Sequence, residues 1–79
     1  MNSVIFESDV FLFETFYEIK VSEDSERLEV DKIYMIGYHD ETGEKILLNR
    51  PADATYIIND ETRRDMHEAI DKRIKSWKK

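Results

Sequence analysis

The stretch "VFLFETFYEIKV", residues 10–21, decides between a helical and a sheet-based fold for this chain. Phe11, Phe13, Tyr17, Ile19 and Val21 fall on one side of an extended backbone, with Glu14, Glu18 and Lys20 on the other. That is a period of two, and β-branched and aromatic side chains pack well on a pleated surface, so the stretch predicts a strand. A helix capped by Ser8 or Asp9, aligning Val10, Phe13 and Tyr17, is the competing reading of its first half.

On the amino-terminal side, "VIF" at 4–6 has the same strand character. On the other side, "SEDSER" at 22–27 is polar and predicts a turn into "LEVDKIYMIGYH" at 28–39, which again alternates. The tetrapeptide "DETG" at 40–43 is the clearest local signal. Aspartate accepts from the backbone two residues on and Gly43 adopts positive φ cheaply, so a hairpin turn is expected, with "EKILLN" returning antiparallel. Pro51 cannot donate to a ladder and is expected to break that strand, with a short strand or strand-like entry resuming at 55–58.

The carboxy-terminal part, "INDETRRDMHEAIDKRIKSW", carries a helix start in Asn59 or Asp60, acids at Glu61 and Asp65, and bases in the last turn. Met66, Ile70, Ile74 and Trp77 recur at helical spacing, flanked by Ala69 and Arg73, a stripe that predicts a helix over 61–76 laid on one face of the sheet. The expected fold is α+β: one small domain over residues 1–79, an antiparallel meander of about four strands with one C-terminal helix on one face.

Seventy-nine residues leave no room for a cleft between lobes, so any binding surface lies on the outside. With no cysteine, neither a disulfide framework nor a thiolate metal site can form, which favours an intracellular, cytoplasmic protein, including one acting inside a host cell. The longest apolar runs are too short for a signal peptide or a membrane span, so a soluble protein is expected.

Catalytic chemistry finds little support. Gly37 and Gly43 are isolated, no serine lies in a nucleophile elbow, and the many carboxylates have no pattern. The pair His67 and Asp71 has metal-ligand spacing on a helix, with Glu68 beside it, but two ligands are not a site. The other histidine, His39, falls at a hairpin end with Asp40 and Glu41. The expectation is no enzyme activity, no catalytic residue, no metal and no cofactor.

Charge is the specific resource. Residues 1–44 hold 12 acids and 3 bases, net −9, and residues 45–79 hold 6 acids and 9 bases, net +3. Glu23, Asp24, Glu26, Glu29 and Asp31, together with Asp40 and Glu41, are the candidate partner-binding residues. The partner they imply is a larger protein with a basic surface. Where that surface is a groove for nucleic acid, an acidic ligand would act as an inhibitor. Small anti-defence proteins of phages and mobile elements are similar in size, acidity and lack of cysteine.

Two other readings compete. A basic helix with Arg63, Arg64, Lys72, Arg73, Lys75, Lys78 and Lys79, and Trp77 for stacking, would bind nucleic acid directly, against the acidic balance of the chain. The apolar residues on both faces of "VFLF" could instead be buried in a structural homo-oligomer such as a homodimer.

Overall fold

A computed structural model describes residues 2–77, with Ser76 and Trp77 as backbone alone. The elements run β1 (Asn2–Ser8), β2 (Phe11–Val21), β3 (Glu26–His39), β4 (Lys45–Asp53) and α1 (Asp60–Trp77). The four strands form one antiparallel sheet in the order β1-β2-β3-β4, a meander in which each strand pairs with its neighbour in sequence. Residues 11–21 are extended and Val10 belongs to the turn before them, so the competing helix at Val10–Tyr17 is not formed. Alternation wins because it gives the strand one apolar face to bury.

The register of β1 on β2 is continuous from Asn2↔Tyr17 to Ser8↔Phe11. Side chains alternate across each strand, so Val4, Phe6 and Ser8 share a face with Phe11, Phe13, Thr15, Tyr17 and Ile19. This is the face the helix covers. Phe6, Phe13, Tyr17, Ile33, Ala54, Met66 and Ile70 make the core, joined by half-buried Val4, Ile19, Leu28, Val30, Met35, Ile58, Ala69 and Ile74. Phe6 and Phe13 stack across the strands at 5.3 Å, an arrangement worth about 0.5–1.5 kcal/mol beyond its area. Phe11 and Val21 share the face but lie at its ends, beyond the helix, and stay exposed. Thr15 fills the gap that the sequence pattern leaves between Phe13 and Tyr17; it is fully buried and its hydroxyl donates to the Lys32 carbonyl.

The helix begins as its sequence predicts. Asn59 caps it, its side-chain oxygen accepting from the Thr62 amide at 2.8 Å, and Asp60 and Glu61 fill the acidic first turn. Asp65, expected to serve the helix dipole, instead accepts a hydrogen bond from Ser8 at 2.7 Å. Met66 and Ile70 are the buried members of the stripe, Ile74 is half-buried, and the Trp77 side chain lies outside the described residues.

Two expectations about the last strand are corrected. Pro51 does not break β4. The ladder pairs Gly37 with Leu47 and Met35 with Ala52, so residues 48–51 bulge out opposite Ile36 alone, and β4 continues to Asp53. A proline is tolerated in such a bulge on an edge strand because no partner asks for its missing N–H. Residues 55–58 do not form a strand: 55–57 make a turn and Ile58 leads into the helix. The Asp53 carboxylate accepts from both the Thr55 amide and the Thr55 hydroxyl, at 2.9 and 2.6 Å, and the Ile57 amide donates to the Ala54 carbonyl. This local network outcompetes the strand preference of Thr-Tyr-Ile-Ile.

The hairpin at 40–43 forms as expected. The Asp40 amide donates to the Glu44 carbonyl at 3.0 Å, the Gly43 amide donates to the Asp40 carbonyl, and Gly43 has φ +84°.

Candidate functional site

The open face of the sheet, opposite the helix, carries all four ion pairs found among the described residues: Glu18–Lys20, Arg27–Glu29, Lys32–Asp53 and Glu7–His39. Glu18 faces Glu29 and Lys20 faces Arg27 across the β2–β3 ladder. The four make a charge square in which like charges face each other across the ladder and each acid is paired with the base two positions away on its own strand. Phe16 and Tyr34 meet edge-on at 5.9 Å in the middle of this face. Near its end Leu12 is buried to 2 % exposure, against Gly37 and on the side away from the helix core. Part of the apolar excess in "VFLF" is therefore absorbed within the chain.

The candidate acidic residues fall into two groups. Glu23 and Asp24 form the exposed tip of the β2–β3 hairpin, where Ser22 and Ser25 close the turn by hydrogen bonds. Glu26, Glu29 and Asp31 follow on β3, Glu29 inside the charge square and Asp31 at a register shift opposite Phe16 and Tyr17. Asp40 and Glu41 lie in the turn just past the other end of the same strand. The 14 residues of β3 span about 43 Å at the usual rise per residue, so the two groups lie at opposite ends of a molecule 49 Å long. They do not make one site.

The sequence asymmetry of −9 against +3 does not divide the molecule in space either. The helix returns its basic last turns to the Glu23–Asp24 end, where Arg73 and Ile74 line a cleft with Tyr17, Ile19 and Glu26. The opposite end gathers the Asp9 turn, the Asp40–Glu44 turn and the acidic first turn of α1. His39 begins this end, its amide bonded to the Val10 carbonyl and its ring between Glu7 and the Gly43 carbonyl.

The Asp40 carboxylate is exposed and accepts three hydrogen bonds. It accepts from the Thr42 hydroxyl at 2.6 Å and from the Thr42 and Glu44 amides at 2.9 Å each. The Thr42 hydroxyl first, then the Glu44 amide, holds its pKa below the ordinary aspartate value. Asp53 is lowered in the same way, chiefly by the Thr55 hydroxyl and amide and less by Lys32.

Beside this end lies an apolar groove that sequence reasoning missed. Phe11, Phe13 and Met35 form its floor, and residues 52–54, 57–59 and the first turn of the helix wall it around about 270 Å³. Phe11 reads as core in the sequence and Ile57 as strand; Phe11 lies beyond the end of the helix, and Ile57 is turned outward by the turn at 55–57, whose only sequence signal is the Asp-x-Thr spacing.

His67, Glu68 and Asp71 are all exposed on α1, with no hydrogen bond or ion pair among them. No group of three or more potential metal-ligating side chains occurs among the described residues, and no helix there is long and apolar enough to cross a membrane. The candidate nucleic-acid residues Arg63, Arg64, Lys72, Arg73 and Lys75 are exposed, interrupted by Asp60, Glu61, Glu68 and Asp71; Lys78 and Lys79 lie outside the described residues. Comparison with protein-family models, with curated proteins and with solved structures gives no match.

Proposed function

We propose that the protein is a non-enzymatic binding module that docks through acidic surface on a basic region of a larger protein. Where that region is a nucleic-acid groove, it competes there with the polyanion. The observation that supports this reading is the state of the exposed acids. Glu23, Asp24, Asp31 and Glu41 have no cation against them among the described residues, whereas Glu18, Glu29 and Asp53 each pair with a neighbouring base. Uncompensated charge at both ends gives fast, steered, salt-sensitive association with a positive surface.

The test is kinetic. A partner captured from the native host at low salt is purified, and its association rate is measured against ionic strength with two charge-reversed variants, E23K/D24K and E41K/E44K. All four side chains are on exposed turns, so folding is kept. At least one variant is expected to lower the association rate by about an order of magnitude with little change in dissociation. Unaltered association in both, with Arg63, Arg64, Lys72 and Lys75 proving essential, would transfer the function to the basic helix.

A further inference from the structure

The helix is shorter than the sheet it covers. Eighteen helical residues span about 27 Å against about 43 Å for β3, and the Ser8–Asp65 contact fixes the first turns of α1 over β1. A corner of the helix-covered face therefore stays open where Phe11 and Met35 meet residues 52–54 and 57–59. Phe11 is 39 % exposed there and Ile57 80 %.

Three properties of the groove point to its occupant. At about 270 Å³ it is smaller than the roughly 300–1,000 Å³ typical of small-molecule pockets, and it suits one large side chain. Its floor is apolar. Its rim holds Asp9, Asp53 and Glu61 and no base; Asp53 is shared with Lys32, while Asp9 and Glu61 have no ion-pair partner among the described residues. The wall is also preformed, tied to β3 by the bond from the Ala54 amide to the Ile33 carbonyl and by Thr55, which accepts from the Ile33 amide. Little ordering has to accompany binding.

From these we infer that the groove receives a single aromatic or leucine side chain of a partner segment, with lysine or arginine on either side of that anchor. The inference rests on the reading of a basic partner and specifies the segment of it that is held. Apolar burial supplies the anchor, and the acidic rim rejects acidic segments of the same shape.

The experiment is an amide chemical-shift titration of the intact protein with three capped peptides. One has a central Phe-Leu flanked by two arginines on each side, one has a central Ser-Gly with the same arginines, and one has Phe-Leu flanked by glutamates. The first is expected to shift Phe11, Met35, Ile57 and Glu61, and the other two to leave them unmoved. Ile57→Ser, which removes an exposed side chain and keeps the melting temperature, is expected to weaken the first peptide at least tenfold. Equal shifts from the Ser-Gly peptide, or shifts confined to the Glu23–Asp24 or Asp40–Glu41 turns, would overturn the groove while leaving the basic-partner reading intact. No shift with either arginine peptide would overturn both.

Discussion

Ser8, the last residue of β1, donates its hydroxyl proton to the Asp65 carboxylate of α1 at 2.7 Å, joining residues 57 apart in the chain. The same oxygen lies 3.2 Å from the Thr62 hydroxyl. A hydroxyl has one proton, and the carboxylate is the stronger acceptor, so Thr62 supplies the proton of the second contact. The network ties the first turns of the helix to the end of β1.

Ser8→Ala removes both contacts and leaves a buried Thr62 hydroxyl without this partner. It should cost about 1–3 kcal/mol, read from urea unfolding, and a double-mutant cycle with Asp65→Ala should show coupling of at least about 0.5 kcal/mol. Additive effects would show that the two side chains do not communicate.

Ile70 has no solvent exposure and lies at the centre of the helix stripe. Ile70→Asp buries an unpaired charge at a cost of at least about 4 kcal/mol, comparable with the total stability of so small a domain, so far-UV circular dichroism should report an unfolded chain. An unchanged melting temperature would mean that the helix is not docked through this residue.

The two glycines are sensitive for different reasons. At Gly43, φ +84° places any side chain in a strained backbone, and Gly43→Val should lose about 1 kcal/mol or more although nothing crowds the site. At Gly37 a Cβ would stand 2.5 Å from the Ile46 carbonyl oxygen, with Leu12 and Leu47 close by. Gly37→Ala therefore has to push β4 away from β3 and should cost about 1–3 kcal/mol. Thermal melts of the pair separate backbone strain from crowding, since Gly43→Ala should be milder than Gly43→Val and Gly37→Ala is already damaging.

Asp40 has a folded pKa below its unfolded value, chiefly through the Thr42 hydroxyl. Its contribution is thus fully present above the unfolded pKa, near 3.9 for aspartate, and is lost as pH falls through the lower folded value. Thr42→Ala should raise the Asp40 carboxyl titration midpoint, followed by NMR, and make the acid limb of melting temperature against pH shallower. An unmoved midpoint in the variant would remove the hydroxyl as the cause.

Sequence patterns read well where one face of one element decides the outcome. The period of two in residues 10–21, the Asp40–Gly43 turn and the Met66–Ile70–Ile74 stripe are local, and each forms as expected. Features that depend on a distant neighbour were illegible. Leu12 is buried on the open face only because Gly37, 25 positions away, brings a backbone without a side chain beside it. Pro51 reads as a strand breaker, yet four residues of β4 bulge opposite one of β3, and no local signal sets that count. The two acidic segments look like one surface in a sequence and become the two ends of a rod, because β3 is long and unbroken. The groove draws on four separate stretches, so its existence could not be inferred from any one of them.

The meander also dictates an order of assembly. Each hairpin closes a loop of a few residues, whereas seating α1 on β1 through Ser8 and Asp65 closes a separation of 57 residues. Loop-closure entropy grows as the logarithm of loop length, so that last closure costs about 2 kcal/mol more than a four-residue turn. The strands can thus associate early, with helix docking completed after the rate-limiting barrier. Weakening the Ser8–Asp65 contact then accelerates unfolding and leaves the folding rate almost unchanged, which makes this one hydrogen bond a determinant of how long the native state persists.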